Sequence, residues 1–595
     1  MNLRPFVRPA LVALAVLAAA AIVAAFLAKP LVVSGARAIA HSRGLELSWS
    51  RFDLRWPARA EVLDFAVFRP GREDTLLKAR RAEAGMRPLP LLLMRTEADF
   101  VSLDGVRLRL PPPGEAELDT LAPGAENAGA EVAADVRQRA EAVVRTLLAP
   151  ARKLPRLRVS NVEVTRGDDP LVSLEALALD RDGAATHLAM AGTYHGEEEV
   201  PFDLLLAWQA DDRLTGRAQC DIPDRGNPNA KPLVLTFDGR VSQDTRAREV
   251  RVAEGSTLRV GDAVARVKGL AAARGPRFEV EAAFDGLDRK TVVASIPRVM
   301  LGPLTGLEVR GSWDWHVGFD LDLSKPDSLR FEADVVPHGL SLDPALSRPS
   351  PAAIAGPFTA QIQLPRGRVV TREISPLNPY FRPLTRISPY LRDAVLTNED
   401  GGFWKHRGFN TEAIGLAVAA NLRAGSFKRG AGTITMQLAR NLWLGHRRTL
   451  ARKGQEVVMA WVVEHLSGVS KERMLEVYLN IIEWGPEVHG AEEAARYYFA
   501  TDASALSLEE CLFMAIVVPS PSKWKWRFNP DGTLRPYARE QMRFIAGKMA
   551  AKGWLDPEQV PVADSIRVTL RGPARDLFAA GTPAAAGPAA TVAAQ

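Results

Sequence analysis

The sequence is poor in cysteine: Cys220 and Cys511 are the only two in 595 residues, and they lie in regions predicted to form different domains. Two such residues exclude a disulfide framework and a cysteine-based zinc cluster. Their scarcity is typical of an oxidising compartment in which free thiols are avoided. Nucleic-acid signatures are also absent, so the net charge of +6 favours an anionic membrane surface or a phosphorylated substrate over nucleic acid.

Charge is missing from the segment Pro9 to Ala28, which is almost wholly apolar. About 20 helical residues cross the hydrocarbon core of a bilayer, so this length predicts a transmembrane anchor at residues 9–28. Arg4 and Arg8 precede the segment and favour a cytoplasmic tail at residues 1–8. A cleaved signal peptide is the alternative, but this apolar run is longer than is usual for one. The rest of the chain is then expected outside the cytoplasm.

Alternation of apolar and polar residues marks the next part of the chain. Val101–Leu110 alternates in this way, and Leu307–Leu323 does so with one glycine break. A period of two indicates half-buried strands. A Pro-rich break begins at Pro111, and residues 130–148 have the composition of a helix. The sequence therefore predicts a mainly-β region in two modules, residues 31–110 and 156–365, with a linker and helix at residues 111–155 between them.

The pattern changes to a period of 3.6 from about residue 376. Glu412–Arg423 reads as an amphipathic helix, and the apolar run from Leu508 to Val518 indicates a buried one. The sequence therefore predicts a multidomain protein that ends in a compact all-α domain at residues 376–552. A tail rich in Ala, Gly and Pro, predicted to be partly disordered, follows at residues 553–595.

Two adjacent carboxylates, Glu399 and Asp400, open the most informative motif, in which Phe403, His406 and Gly408 follow. Like charge from Asp400 and desolvation by Phe403 can raise the pKa of Glu399, as a general base requires. His406 is expected to orient the loop or to hydrogen-bond Glu399. An isolated Glu-Asp pair is more often a solvated charge at a helix end. The spacing of the aromatic, histidine and glycine residues favours the functional interpretation here.

Arg452, Lys453 and Glu456 are spaced by three and four residues, so on a helix they share one face. This face offers two cations to a pyrophosphate and one carboxylate to position them or to hold a metal. A surface salt bridge is the alternative, and this motif alone does not decide between the two.

Small residues and hydroxyls at Gly430–Thr435 precede a helix, where the backbone can approach phosphates or sugars closely. No Gly-Lys-Ser/Thr follows, which excludes a P-loop, and an ordinary glycine-rich entry to a helix is the alternative. Gln437, Arg440 and Asn441 follow at helical spacing and can face one groove. Lys471–Asn480 is amphipathic, and a packed scaffold helix accounts for most of it. The side chains expected to line the floor of a cleft are Glu476, Tyr478 and Asn480.

Five motifs in this order resemble the peptidoglycan glycosyltransferase family (family 51), which includes monofunctional transglycosylases and the glycosyltransferase domain of bifunctional penicillin-binding proteins. The motifs are Glu399–Gly408, Gly430–Gln437, Arg452–Glu456, Lys471–Asn480 and Pro519–Pro521. Three departures from the family pattern stand out. Met436 replaces a glutamine, Arg440 a lysine and Thr433 a serine. No Lys-Thr-Gly sequence follows, so no transpeptidase domain is expected.

The resemblance implies a lysozyme-like α fold in the inner membrane, with the bulk of the chain in the periplasm. It implies polymerisation of lipid II into β-1,4 glycan strands, with inversion and release of undecaprenyl pyrophosphate. Glu399 becomes the base on the acceptor hydroxyl, and Glu456 supports the departing pyrophosphate directly or through Mg²⁺ or Mn²⁺, with no obligatory cofactor. The expected substrate-binding residues are Asp400, Phe403, His406, Gly432, Thr433, Thr435, Gln437, Arg440, Asn441, Arg452, Lys453, Glu476 and Asn480.

The N-terminal β region resembles the AsmA-like family of envelope proteins in three short stretches: Arg43–Leu47, Leu91–Leu93 and Leu103–Leu108. A generic antiparallel β spacer explains them equally well. The expected partners are lipid II, the growing glycan strand and the membrane, with cell-wall synthesis proteins possible through the β region.

Two other functions stay open at this stage. A lysozyme-like hydrolase also uses an acid pair, but it has no pyrophosphate for a cation cluster to hold. A non-catalytic envelope scaffold or lipid-binding protein would carry a degenerate catalytic domain, and the retained Glu399 and Glu456 argue against it.

Overall fold

The protein is described here by a computed structural model. It covers residues 41, 45–55, 59–68, 75–86, 98–110 and 155–579, apart from short gaps at 184, 197, 225, 228, 274, 326–327, 365–366, 425–429 and 447–448. The predicted cytoplasmic tail and the predicted anchor, residues 1–8 and 9–28, lie outside the described residues. Among the residues that are described, none of the helices combines the length and apolar character needed to cross a membrane.

The chain forms two compact units, and the boundary between them is crossed several times along the sequence. The β-rich unit comprises residues up to 300 together with 311–339 and 411–430. The helical unit comprises residues 301–310, 340–410 and those from 431 onward.

Strands make up most of the β-rich unit. In chain order they are β1 (Glu46–Ser48), β2 (Arg51–Arg55), β3 (Arg59–Phe68), β4 (Thr75–Met86), β5 (Ala98–Leu110), β6 (Arg156–Arg166), β7 (Asp169–Asp182), β8 (Ala185–His195), β9 (Glu199–Trp208), β10 (Arg213–Cys220), β11 (Leu233–Asp244), β12 (Glu249–Val260), β13 (Ala263–Ala272), β14 (Arg277–Asp288), β15 (Val309–Asp322) and β16 (Arg330–Leu342).

These strands form one sheet of sixteen strands, in which β3 to β16 follow one another in sequence order. Among the described residues, the neighbours whose register is defined pair antiparallel with one exception: β5 and β6 run parallel, with Phe100 opposite Arg156. A parallel pair needs a long connection. Residues 111–155, the predicted linker and helix, supply that connection and lie outside the described residues except for Pro155. The two predicted β modules thus contribute strands to one sheet.

At Gly105 the alternation of buried and exposed side chains along β5 shifts by one residue. Val101 and Leu103 are buried before it, and Val106 and Leu108 after it, so the alternation slips by one residue. The φ of Gly105 is +65°, and a Cβ at this position would lie 2.8 Å from the Cβ of Arg80, so a larger residue would be strained there. Such a slip lets one strand keep its apolar residues on the core face.

Helices dominate the second unit. In chain order the helices of the described chain are α1 (Arg289–Ser295), α2 (Arg298–Leu301), α3 (Pro389–Glu399), α4 (Thr411–Ala424), α5 (Ile434–Ala439), α6 (Leu450–Leu466), α7 (Lys471–Ile481), α8 (Ala491–Phe499), α9 (Leu508–Val517), α10 (Pro536–Ala551) and α11 (Asp576–Ala579). A π-helical turn, Arg440–Leu444, follows α5 directly. The prediction of a mainly-β region followed by a helical domain is confirmed.

Two short hairpins accompany the helices of this unit; the first begins within the predicted second β module, and the helical period did not predict the second. They are β17 (Phe358–Gln363) with β18 (Val369–Ile374), and β19 (Glu483–Gly485) with β20 (Val488–His489). The first hairpin inserts Ile362 and Ile374 into the hydrophobic core of the helical unit. The domain boundaries drawn from the sequence stay predictions.

The core of the helical unit is built around α9, where every residue from Glu510 to Val517 is buried. Ser507 begins this helix in a capping box with Glu510, which satisfies backbone N–H groups at its first turn. The chain beyond residue 552 also contributes, since Ile566 and Ala574 are buried in the same core. Residues 580–595 of the predicted tail lie outside the described residues.

Candidate active site

Glu399 is the last residue of α3, a helix whose buried side chains anchor it in the core. Its two carboxylate oxygens accept separate hydrogen bonds. Asn398 Nδ2 donates to Oε1 at 2.8 Å, and Gln437 Nε2 donates to Oε2 at 2.9 Å. Asn398 also donates to the carbonyl of Ala515 at 3.1 Å, which fixes its amide. The carboxylate is therefore held in one orientation by residues of three helices.

Burial raises the pKa of Glu399 above its ordinary value. The hydrogen bonds from Gln437 and Asn398 and the positive charge of Arg440 act in the opposite direction, while the nearby Asp400 adds a small increase. Both causes predicted from the sequence are thus present, with burial the larger. A carboxylate with a raised pKa is a better proton acceptor, as a general base must be.

Asp400 faces a different set of partners from Glu399. His406 Nε2 lies 2.9 Å from its Oδ2, and the backbone N–H of Ile434 donates to the same oxygen at 2.9 Å. Ile434 is the first residue of α5, where a carboxylate also complements the helix dipole. His406 therefore bonds Asp400 and not Glu399, which corrects one of the two roles expected for it. The pair fastens the first motif to the start of the second.

Thr433 caps α5 and strengthens the same junction. Its Oγ1 accepts from the backbone N–H of Met436 at 3.2 Å and donates to the carbonyl of Gly408 at 2.6 Å. Met436 itself is buried. With methionine in place of a glutamine there, Gln437 still donates to Glu399.

Thr435 and Phe403 lie on a buried ionic cluster rather than in contact with Glu399. Thr435 donates to Glu464, which also accepts from Lys471 Nζ at 2.6 Å. The same ammonium lies 4.3 Å from the centre of the Phe403 ring, a cation–π contact. As placed, both residues support the site from inside the domain, and their predicted contact with substrate stays a prediction.

Arg452, Lys453 and Glu456 share one face of α6, as their spacing predicted. Glu456 is buried, with Arg452 bonded to its Oε1 and Lys453 Nζ 2.9 Å from its Oε2. The Lys453 ammonium is about half exposed. A Cβ added to Gly432 would lie 3.6 Å from that ammonium, so the glycine loop and the cations adjoin.

Arg440 and Asn441 begin the π-helical turn after α5. Among the described residues, the buried Nε of Arg440 has no hydrogen-bond partner. Its charge reaches both Glu399, whose pKa it lowers, and His446, whose pKa is lowered first by burial and then by Arg440. Arg440 is therefore near enough to both residues for its charge to act on them. Asn441 is buried in the same turn.

Glu476 and Asn480 use their side chains to hold backbone. Glu476 Oε2 accepts from the N–H of Leu384 at 2.7 Å. Asn480 Oδ1 accepts from the N–H of Arg382 at 2.9 Å, and its Nδ2 donates to the carbonyls of Arg382 and Glu476 at 2.8 Å each. This geometry is that of a packed scaffold helix, the alternative considered for α7. Their predicted contact with substrate stays a prediction.

The donor set around Glu456 gives one test of a divalent ion. In the described part of the chain, Glu456 belongs to no group of three close metal-ligating side chains, and two cations already engage it. An ion at this position would take most of its oxygen ligands from a pyrophosphate and water, as Mg²⁺ commonly does. Among the described residues, the one group of three close metal-ligating side chains is His316, Glu332 and Asp334, in the β-rich unit.

The sequence does not predict two of the residues that support the site. Asn398, which orients Glu399, directly precedes the carboxylate pair. Lys471, which bonds the Glu464 partner of Thr435, opens the fourth motif, where the pattern indicates a scaffold helix. Their roles depend on contacts across the core, which spacing along one helix does not reveal. The hydroxyl of Tyr478 also reaches this site, at 3.1 Å from Gln437 Oε1.

Comparison with known proteins places this geometry in a class. The transglycosylase family model matches residues 367–550, a span that holds Glu399, Gln437 and the cation cluster. A biosynthetic peptidoglycan transglycosylase of Alcanivorax borkumensis is 40% identical over 182 residues, which cover 31% of this chain and 71% of that protein. Proteins of the same name from Paraburkholderia xenovorans and Nitrosospira multiformis are 40% and 41% identical over 169 residues, 28% of this chain and 68% and 70% of theirs.

The class is thus that of transglycosylases, enzymes that transfer glycosyl groups. The chain belongs to the peptidoglycan transglycosylase family, and the family predicted from the five motifs is confirmed. The AsmA-like resemblance of the β region stays a prediction; its first two carrier stretches lie wholly or partly outside the described residues.

Proposed function

We propose that this protein polymerises lipid II into β-1,4-linked glycan strands and releases undecaprenyl pyrophosphate. The observation that carries the proposal is Glu399, a half-buried carboxylate with a raised pKa, oriented by two amide donors in the same helical unit as the ion-paired cations Arg452 and Lys453. The family membership and the names of the relatives support the same reaction. A hydrolase would have no use for cations placed to hold a pyrophosphate.

In this proposal Glu399 takes the proton from the 4-hydroxyl of the acceptor sugar. The acceptor oxygen forms a bond to the anomeric carbon of the donor on the face opposite the pyrophosphate. The bond between that carbon and the pyrophosphate oxygen breaks, and the electron pair leaves with the pyrophosphate. One displacement inverts the α-linked donor to a β-1,4 product. The raised pKa of Glu399 favours proton uptake in this step.

The cations stabilise the charge that develops on the leaving group. Arg440 has an unpartnered buried Nε and a charge that reaches Glu399. Arg452 and Lys453 both bond to the buried carboxylate of Glu456, which holds the two cations in place. A divalent ion, when bound, would supply further charge neutralisation at the pyrophosphate. Glu456 is the residue that would contact it.

We further infer that residues 9–28 anchor the chain in the inner membrane, with residues 1–8 in the cytoplasm and the rest in the periplasm. The support is the uncharged apolar segment and the two arginines before it. Lipid II is itself membrane-bound, so an anchored enzyme would meet its substrate at the same surface. The β-rich unit would then be available to cell-wall synthesis proteins.

The test is a lipid II polymerisation assay on the detergent-solubilised full chain, with wild type beside Glu399→Gln. We expect glycan strands from wild type and a loss of about 10² or more in rate for Glu399→Gln, because the base is removed while the residue stays nearly isosteric. Circular dichroism should show the same fold for both. Near-normal turnover of the variant would refute the role of Glu399 as base.

Absence of strands from a well-folded wild type would overturn the catalytic proposal. It would favour the scaffold function, with the β-rich unit as the part that binds a partner. Strands that are formed and then cleaved by the same sample would favour the hydrolase.

A further inference from the structure

Tyr478 lies at the far end of a hydrogen-bond chain that reaches Glu399. Its hydroxyl lies 3.1 Å from Gln437 Oε1, and Gln437 Nε2 donates to Glu399 Oε2 at 2.9 Å. Tyr478 is on α7, Gln437 on α5 and Glu399 on α3, so the chain connects three helices. Tyr478 is completely buried.

The chain has a direction, because a glutamine amide has one accepting end and one donating end. A tyrosine hydroxyl that donates to Oε1 leaves the NH₂ group to face the carboxylate. The reverse orientation would set Oε1 against the carboxylate of Glu399, two acceptors with no proton between them. Burial raises the pKa of Tyr478 well above its ordinary value, so its hydroxyl keeps the proton that it donates.

Gln437 matters to the ionisation of Glu399 more than any other neighbour does. Burial raises the pKa of Glu399, and the hydrogen bond from Gln437 is the largest effect that lowers it again. A hydrogen bond to the charged form of a carboxyl group favours that form. Whatever holds the Gln437 amide in its donating orientation therefore keeps the base ionised.

We propose that Tyr478 is a positioning residue for the base: its hydroxyl holds the Gln437 amide so that the amide donates to Glu399. Tyr478 does not touch the reacting atoms, and its effect passes through Gln437. The inference rests on the proposed function, in which Glu399 is the proton acceptor.

The test is the pH profile of kcat/KM for lipid II polymerisation by the full chain carrying Tyr478→Phe. Without the hydroxyl, the Gln437 amide can turn its oxygen toward Glu399, which stabilises the protonated acid. We expect the acidic limb of the profile to move to higher pH by about half a unit to one unit. The rate on the plateau above the limb should stay close to that of wild type.

Tyr498→Phe is the matched control. Tyr498 is also completely buried in the core of the helical unit, and its hydroxyl donates to the carbonyl of Trp484 at 2.6 Å. This hydrogen bond leads to the Trp484 carbonyl and not to Gln437. Both substitutions remove one hydroxyl from the same core, so a general loss of packing should affect them alike. Only Tyr478→Phe should move the acidic limb.

A double-mutant cycle with Gln437→Met sharpens the test, since it removes the residue through which Tyr478 acts. Gln437→Met alone should move the limb at least as far as Tyr478→Phe does. Adding Tyr478→Phe to Gln437→Met should then move it no further. Gln437→Met also gives an answer should Tyr478→Phe fail to fold, because an unmoved limb in that variant would overturn the proposal.

An unmoved limb in a folded and active Tyr478→Phe variant would overturn the proposal, and so would additive shifts in the cycle. These outcomes differ from failure of the proposed function, in which wild type makes no glycan. In that event the pKa of Glu399 can be measured without activity, from the ¹³C NMR signal of its carboxyl carbon as a function of pH. The signal is assigned by its disappearance in Glu399→Gln. An equal pKa in wild type and Tyr478→Phe would then refute the positioning role.

Discussion

Carboxylates are paired differently in the two units of the molecule. In the β-rich unit, Asp238 and Asp285 form ion pairs with arginines in which both side chains are about half exposed. In the helical unit, Glu456, Glu464 and Glu492 are buried almost completely, each with at least two partners. Exposed pairs contribute little to stability because water screens them. A buried carboxylate depends on its full set of partners.

The difference shows where the chain keeps charge inside the fold. These three buried carboxylates all lie in the helical unit. Two of them, Glu456 and Glu464, are on α6, and Glu456 belongs to the third predicted motif. The sheet instead carries its charges on the surface, where they favour solubility and correct pairing of strands. A substitution should therefore have a large effect in one unit and a small effect in the other.

Glu492→Ala should give the largest effect. Glu492 accepts from Arg382 at 2.7 Å, from Arg496 at 2.6 Å and from the N–H of Ala503 at 2.8 Å. Removing it leaves the buried N–H of Ala503 without its acceptor and takes one of two carboxylate partners from Arg382, which keeps Asp502. We expect the free energy of unfolding of the helical unit to fall by about 3–5 kcal/mol, measured by urea denaturation.

Asp238→Ala is the comparison variant for Glu492→Ala, because it breaks a bidentate pair with Arg213 on the exposed surface of the sheet. It should change the urea midpoint of the β-rich unit only slightly. Equal losses in the two variants would contradict the distinction between the units.

Arg452→Ala and Lys453→Met should give an intermediate effect and separate two roles of the cation cluster. In the proposed function each removes one charge-assisted contact to a pyrophosphate, so each should weaken lipid II binding by about tenfold. Arg452 is mostly buried against Glu456, whereas Lys453 is half exposed. Arg452→Ala should therefore also lower the melting temperature, and Lys453→Met should leave it nearly unchanged.

Binding can be measured by the fluorescence change on titration with a labelled lipid II analogue in detergent. Unchanged affinity in both variants would refute the phosphate role. A loss of affinity that merely follows the loss of folded protein would assign the cluster to the fold alone.

Acidification should have the smallest effect on the free energy of unfolding. The sign should differ between Asp104 in the β-rich unit and Glu399 in the helical unit. Hydrogen bonds from Asn161, Arg80 and Ser160 lower the pKa of Asp104 to about 2. Its contribution to stability is therefore present above its ordinary value of 3.8 and is lost as the pH falls toward 2. The pKa of Glu399 is raised, so its charged form costs stability once the pH has risen through its folded pKa.

Asp104→Asn should consequently destabilise the β-rich unit near neutral pH, and the difference from wild type should vanish as the pH approaches 2. For Glu399→Gln, the stability relative to wild type should be higher at neutral pH than in acid. Thermal melts of both variants across this pH range check the two signs. A pH-independent difference for Asp104→Asn would contradict the hydrogen-bond origin of its lowered pKa.

Periodicity predicted the two kinds of structure well, because each period reports the local burial of one face. The period of 2 located β5 and β15, and the period of 3.6 located α4 and α9, within a few residues. It did not predict that β5 and β6 would run parallel, nor the slip at Gly105. Both depend on pairing with a distant strand, which a local pattern does not contain.

The motifs located Glu399, Gln437 and the face of Arg452, Lys453 and Glu456, because spacing on one helix determines which side chains are neighbours. They did not show that His406 would choose Asp400, since that contact depends on how a loop folds onto α5. Thr435 is a similar case, because its partner Glu464 lies on another helix. Side-chain partners across a core are the part that the sequence leaves open.

The parallel pairing of β5 with β6 has a consequence for how the sheet assembles. The other neighbouring strands from β3 to β15 are joined by shorter connections, the longest of which is residues 289–308 between β14 and β15, so pairing can spread from one strand to the next with a smaller loss of chain entropy. β6 must instead find β5 after a long excursion of the chain, with Phe100 opposite Arg156. Folding should therefore start independently on the two sides of this junction, and the junction should be the slow step that joins them.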